Sequence, residues 1–392
     1  MGDGFDAIVI GAGACGCTTA YELARKGARA ALLDSGEVGR EASWASAGIV
    51  GPGASPERDP WFAEATRLSA ERYAELDGEL RELTGRSIGY GGAGSLLVAR
   101  TEEELPAVRE NTDLYRSAGV EAQLLDGAEA RRREPVLPED VVEAALNPEG
   151  RHLDARAYTA AAAAAAQVLG VEVFAGRPVT GLQWSGDRVT GVRTDAGSLH
   201  ADVVVNAAGA WAGRMDERLT HPVFPVHGQI MAVAAPPAGL RHNVSRAAGY
   251  GYATPRPDGR IVVGATHEAW GFAKRVTPDG LASLSDIVTS VLPVLASQPI
   301  LDIWSGLRPG TVDSLPTVGP DPRAASGFLW ATGHYSSGMM QMPATALVVT
   351  DLALGRAPRL AIDQVTVERY LDGRTIAATP QIHAIERRRL RI

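Results

Sequence analysis

FDAIVIGAGACGCTTAYELARKGARAALLD, residues 5–34, decides how the rest of the chain is read. The short apolar run at 6–10 has the composition of a buried parallel strand. Gly11, Gly13 and Gly16 follow at once in G-x-G-x-x-G spacing, and a helical pattern then puts Thr19, Ala20, Leu23 and Ala24 on one face. A second strand at 28–33 ends at Asp34, 18 residues beyond Gly16. In this arrangement Gly11 makes the tight turn and Gly13 lets the backbone approach a pyrophosphate. Gly16 lets helix and strand pack closely, and Asp34 accepts from ribose hydroxyls. The motif alone is weak. With the strand before it, the helix after it and the acid at the right distance, it predicts an adenine dinucleotide. The alternative is a tight βα turn with no ligand.

The chain has 392 residues, room for two packed units at about 150 residues each. Hydrophobic content of 45% and charged content of 21% are those of a globular protein. A formal net charge of −8 argues against a nucleic-acid partner. The Arg387, Arg388, Arg389 and Arg391 cluster reads as a solvated tail. Both cysteines, Cys15 and Cys17, sit in the glycine loop. They are too close for a useful staple and lack a second pair for zinc, so they read as small packing residues and no metal is expected. No leader pattern and no apolar run of about 18 residues is present, so the expectation is a cytoplasmic protein without a membrane part.

Apolar residues at three- and four-residue steps predict a helix over 57–84, stopped by Gly85. A strand at 88–100 with a bend at 91–94 and a helix at 101–118 follow, and Arg131, Arg132 and Arg133 read as a solvated turn. Asp154 is placed to cap a helix through the alanines at 160–166, which are strong helix formers. Strands are expected at 171–174, at 179–184 with 188–194 as a hairpin, and at 202–206. From 221 the chain turns to β, with strands at 226–235, 249–254 and 260–266, and a helix at 281–295. The expected fold is α/β: a Rossmann-like dinucleotide-binding domain interrupted twice by a domain built on a large antiparallel sheet.

Four further segments narrow the class. Ala42-Ser43-Trp44-Ala45-Ser46-Ala47-Gly48-Ile49 supplies small residues whose backbone can approach a flat ligand. Val203 to Trp211 is a buried strand running into Ala208-Gly209. Trp304-Ser305-Gly306-Leu307-Arg308-Pro309-Gly310 precedes Asp313. Ala331-Thr332-Gly333-His334-Tyr335-Ser336-Ser337-Gly338-Met339 opens a helix. Together with the opening motif, and in this order, they resemble the FAD-dependent amine oxidases of the D-amino acid oxidase class, with the nearest look to bacterial glycine oxidases and sarcosine oxidases.

The resemblance implies an FAD-binding domain over 1–84, 150–219 and 306–375, a substrate domain over 85–149 and 220–305, and a tail at 376–392. It places FAD against Gly11, Gly13, Ala14, Gly16, Asp34, Ser35, Ser43, Ala47, Gly48, Val179, Ala208, Gly209, Trp211 and Gly306. Gly333, His334, Ser336, Ser337, Gly338 and Met339 would bring backbone N–H groups and a helix N-terminus to the flavin. Arg308 would pair with the substrate carboxylate through two parallel bonds. The alternative partner for Arg308 is Asp313. Tyr252 would add a second bond, with Tyr250 a competing candidate. The implied partners are a small amine bearing a carboxylate and O2, with no nucleic acid, no membrane and room for a homo-oligomer.

The implied reaction passes a hydride from Cα to flavin N5, hydrolyses the imine and reduces O2 to H2O2. It needs no protein acid or base, and His227 and His334 read as structural. Three positions depart from relatives. His227 stands in a PVRGQ-like strand, and Ser336 stands where glycine oxidases carry arginine. Ala45 stands where some sarcosine-type relatives attach FAD through histidine, and no late cysteine replaces it. The expectation is therefore non-covalent FAD and a substrate that extends to N-substituted glycines or other amino acids. A flavin dehydrogenase with another electron acceptor and a non-catalytic flavoprotein scaffold are the alternatives.

Overall fold

The structure, a computed structural model, describes residues 4–53, 55, 60–249 and 251–371. Tyr250, residues 57–59 of the first expected helix and the 376–392 tail lie outside the described residues.

The opening run forms the strand Phe5–Ile10, with Ala30–Leu33 parallel on one side and Gly197–Asn206 parallel on the other. The sheet runs Thr317–Pro320, Phe328–Thr332, Gly197–Asn206, Phe5–Ile10, Ala30–Leu33, Glu172–Phe174. The expected hairpin, Val179–Ser185 with Arg188–Thr194, hangs on the Gly197–Asn206 strand. Ile8, Val9, Leu32, Leu33, Val204 and Val205 are fully buried, as strands covered on both faces require. The helices Ala14–Arg25, Ala155–Val168, Trp61–Thr84 and Gly338–Ala353 pack together on one face. Asp154 caps the second of these, accepting from the N–H groups of Arg156 and Ala157 at 2.9 Å. Its alanines do more than favour helix. Ala161, Ala162, Ala165 and Ala166 are buried, and their small side chains let this helix lie close against Ala14–Arg25.

The second sheet has the order Ile300–Gly310, Phe224–Ala234, Arg260–Gly264, Tyr252–Pro255, Asn243–Arg246, Ser95–Ala99, Glu143–Asn147, Gln123–Asp126. It is antiparallel except where Asn243–Arg246 meets Ser95–Ala99 in parallel, the seam between two separate excursions of the chain. Alternation sorts its side chains. Met231, Val244, Ala253 and Val263 join a core under the helix Pro278–Val291, while Ile230, Tyr252 and Val262 point the other way with Ala47 and Ile49. The strand Ile300–Gly310 crosses residue 305 without a break, held along its length by Phe224–Ala234.

Several expected elements shift. The strand at 88–100 shrinks to Ser95–Ala99, because the glycine bend carries only a single bridge from Gly91 to His152. The strand at 249–254 starts at Tyr252. The helix at 281–295 is Pro278–Val291, started by the Thr277 hydroxyl accepting from Gly280 N–H at 3.1 Å. It ends before Pro293, which has no N–H to continue it. Arg131 to Arg133 do not form a turn. They end the helix Gly127–Arg133, where Glu129 pairs with Arg132 and Arg133, and Arg131 donates to the carbonyls of Glu139 and Val141. Positive charge at a helix C-terminus is favourable, which a reading of composition alone passes over.

Candidate active site

A cavity of about 1160 Å³ runs between the two sheets. Its first end is the glycine loop. Gly11 has φ +99°, and a Cβ there would stand 2.5 Å from the Ala207 carbonyl oxygen. A Cβ on Gly16 would overlap the Gly11 carbonyl oxygen, so Gly16 serves packing and lies off the cavity wall. Gly13 differs. It caps the Ala14–Arg25 helix with no side chain, and a Cβ there would meet only the Ser43 hydroxyl at 3.3 Å. The helix N-terminus therefore opens onto the cavity, a site suited to phosphate.

Asp34 holds this loop in shape. One carboxylate oxygen accepts from Ala12 N–H at 2.7 Å and the other from Gly36 N–H at 2.8 Å. Ser43 accepts from Ala14 N–H at 2.8 Å. Ser35 and Val179 line the same end, and Ala47, Gly48, Ala208, Gly209 and Trp211 line the middle. At the far end lie Gly306, Arg308, Tyr252, His334 and residues 336–339, where the Gly338–Ala353 helix starts. Gly333 stands behind this wall. A long cavity with a side-chain-free helix N-terminus at one end, a second helix N-terminus at the other and an acid beside the first fits a dinucleotide.

The second sheet lines the far end of the cavity. Trp304, Gly306 and Arg308 share one face of their strand, at the two-residue period. Arg308 Nη1 donates to the carbonyl oxygens of Thr266 at 3.1 Å and His227 at 3.5 Å. Among the described residues no carboxylate lies within 4.0 Å of its guanidinium. Asp313 is taken by Arg369 at 2.8 Å and by the Tyr370 hydroxyl at 3.0 Å. Across the sheet the Tyr252 hydroxyl lies over Gly264, 2.6 Å from where a Cβ would be, with no hydrogen-bond partner among the described residues. Burial raises its pKa more than the charges of Arg308 and Arg256 lower it, so the hydroxyl stays a donor.

Both histidines are engaged elsewhere. His334 Nε2 meets the Thr345 hydroxyl at 2.9 Å, and burial pushes its pKa down to about 3. His227 is buried, with Nδ1 at 2.8 Å from Glu268 and Nε2 accepting from Arg275 N–H at 3.3 Å. Burial works against the Glu268 carboxylate, but hydrogen bonds from His227, Thr266 and Gln229 hold its pKa below the usual range. The Cys15 thiol is pushed up to about 12 by burial and the Cys17 thiol is raised in the same way, which leaves both as packing groups.

Three features escape a reading of the sequence. Gly228 and Gly264 make room for Arg308 and Tyr252, and their role depends on cross-strand register. Arg256, inside a segment that reads only as a hairpin turn, is buried and donates to the carbonyls of Leu153 and Ser46. It ties down the loop carrying Ala47 and Gly48. Arg156 is stacked between Trp44 at 4.0 Å and Trp304 at 4.6 Å, joining that loop to the strand of Arg308.

A two-sheet fold with a dinucleotide loop at one end and an arginine–tyrosine pair under the second sheet defines a flavoprotein oxidoreductase. The chain belongs to the FAD dependent oxidoreductase (DAO) family, which matches residues 6–352. Glycine oxidase from Pseudomonas aeruginosa is 34% identical over 360 residues, 90% of this chain and 95% of that one. The bifunctional protein ThiO/ThiG of Synechocystis is 33% identical over 370 residues, covering 93% of this chain and 54% of that protein, so the chain spans about half the length of such bifunctional relatives. The crystal structure of glycine oxidase from Geobacillus kaustophilus superposes with a TM-score of 0.88 at 30% identity, over 95% of this chain and 99% of that one. Among the described residues no helix is long and apolar enough to cross a membrane, and no cluster of metal-ligating side chains is present.

Proposed function

We propose that this FAD-dependent oxidoreductase oxidises the amine of glycine, an N-substituted glycine or a related amino acid, with O2 as electron acceptor. For an N-substituted glycine the balance is R–NH–CH2–COO⁻ + O2 + H2O → R–NH2 + OHC–COO⁻ + H2O2. The observation that carries this reading is Arg308: a guanidinium on the cavity wall, held by carbonyls on one side and with no carboxylate within 4.0 Å among the described residues. In this reading residues 1–84, 150–219 and 306–375 form the cofactor-binding part and 85–149 and 220–305 the substrate part.

FAD, when bound, would supply the two-electron redox chemistry between substrate and O2. The chain's residues do the rest. Gly13, Ala14 and Ser43 hold the pyrophosphate, and Asp34, Ser35 and Val179 meet the adenosine. Residues 336–339 bring the positive end of a helix to the far end of the cofactor. Arg308 grips the substrate carboxylate and fixes which Cα–H faces the flavin. Tyr252 adds a neutral hydrogen bond. With His227 and His334 committed elsewhere, neither serves as a base for the amine proton, and in this reading the substrate binds as the free amine. FAD is held without a covalent bond: position 45 is an alanine whose methyl lies against Gly306, and both cysteine thiols are buried.

The test is product balance in air. Glyoxylate, amine and H2O2 should appear in equal amounts from glycine or sarcosine, and acid precipitation should release the yellow colour. Glyoxylate without H2O2 would refute O2 as acceptor, and colour kept in the pellet would refute non-covalent binding.

A further inference from the structure

We propose that the cavity beyond Tyr252 is a subsite for the substrate's substituent, and that it takes a largely apolar chain ending in a cation. This rests on the amine-oxidation reading above and names the substrate class within it.

Cross-strand register gives the subsite its length. Tyr252 lies opposite Ser245, and Ser245 opposite Leu97, so the three share one row on one face of the sheet. All three line the cavity. Two strand spacings separate Tyr252 from Leu97, about 10 Å. A glycine held at Arg308 has no atom that reaches past Tyr252.

Among the described residues of the connection that joins the strands of Ser245 and Tyr252, those on the wall are Ala247, Gly249 and Gly251, none with a side chain larger than a methyl group. The far side is apolar, through Leu97 and Ile287. The helix Pro278–Val291 closes the rim with Ser283, Asp286 and Ile287, one face at three- and four-residue spacing.

The rim's charge is negative. Asp286 is exposed, and no basic group lies within 4.0 Å of it among the described residues. The other charged residue on this wall, Arg246, is already committed. Its Nε donates to Glu104 at 2.9 Å and its Nη1 to the Ser290 hydroxyl at 3.1 Å. Arg246 and Glu104 cancel, and Asp286 remains. A substituent reaching the rim meets an uncompensated carboxylate, so a cationic end is favoured and an anionic end disfavoured.

The test is kcat/KM of the holoenzyme for glycine, N-butylglycine, N-(4-aminobutyl)glycine and N-(3-carboxypropyl)glycine. N-butylglycine should exceed glycine at least about tenfold, the scale of added methylenes in an apolar pocket. The aminobutyl compound should exceed N-butylglycine by about two- to fivefold, the scale of an exposed ion pair. Asp286→Asn should bring that last ratio to about one, and Ala247→Phe should lower the ratio of N-butylglycine to glycine. Glycine turned over as well as N-butylglycine would overturn the subsite while leaving amine oxidation standing. A carboxypropyl compound better than the aminobutyl one would overturn its charge preference. If no compound in the series, glycine included, reduces the flavin, the amine-oxidation reading fails and the subsite falls with it.

Discussion

The guanidinium of Arg308 lies across Gly228, and a Cβ on that glycine would stand 2.6 Å from its Cζ. Gly228 pairs with Gly306 across the two strands; the bare position at 228 clears a path for the arginine, and the one at 306 makes room for the Ala45 methyl. Such a guanidinium is pre-aimed and loses little freedom when it grips a carboxylate.

Replacing Gly228 by alanine therefore pushes Arg308 off its carbonyl partners without touching the cofactor loop. The expected result is a KM for the amino-acid substrate raised about tenfold or more, with FAD affinity unchanged. Steady-state kinetics beside flavin titration of the apoprotein check both halves.

Removing the Tyr252 hydroxyl has a smaller effect. Tyr252→Phe takes away one neutral hydrogen bond to the carboxylate, worth about 0.5–1.5 kcal/mol, so KM should rise roughly two- to thirteenfold. Because burial keeps this hydroxyl protonated, the ratio of mutant to wild-type KM should be the same at pH 7 and pH 9. A ratio that collapses towards pH 9 would mean that the hydroxyl ionises.

Asp34 holds two backbone N–H groups, so its loss should be felt before any ligand binds. Asp34→Ala should lower the stability of the apoprotein by about 1–3 kcal/mol and weaken FAD binding as well. Urea unfolding of apo and holo forms separates the two effects. An Asp34→Ala apoprotein as stable as the wild type would leave Asp34 with a ligand role only.

Three histidines set an acid limit. Burial is the largest cause in lowering His152 to about 4, and His221 and His334 to about 3, from an ordinary value of 6.5. The unfolded chain takes up protons at each site below about pH 6.5 that the folded chain refuses until near pH 4 or 3. Stability therefore falls as pH falls through that window, by up to about 1.4 kcal/mol per pH unit for each histidine. Urea midpoints at pH 7.5, 6 and 5 should decline in that order, and a constant midpoint would contradict the burial of these rings.

What the sequence revealed follows the range of each constraint. Gly11, Gly13, Gly16 and Asp34 are legible because their roles depend on spacing within one βα unit. Asp154 is legible because a cap acts two and three residues on. The Gly127–Arg133 helix could have been seen in Asp126 and Glu129, which cap and pair within one turn. Gly228 and Gly264 could not. Which side chain crosses which glycine is set by the pairing of strands far apart in the chain. The same holds for Ser95–Ala99 against Asn243–Arg246, the parallel seam that opens the space beyond Tyr252. Arg308 stood out by its segment, but only the structure shows Asp313 given to Arg369 and the guanidinium left facing the cavity.

Anaerobic flavin bleaching tests the carboxylate clamp most directly. Wild-type holoenzyme mixed with sarcosine or N-butylglycine should lose its flavin absorbance, with a rate that saturates in substrate. Arg308→Ala should keep its FAD and spectrum but need at least about thirtyfold more substrate for half-saturation, the effect of about 2 kcal/mol or more of lost binding. Saturation of Arg308→Ala at the wild-type substrate concentration would contradict the clamp.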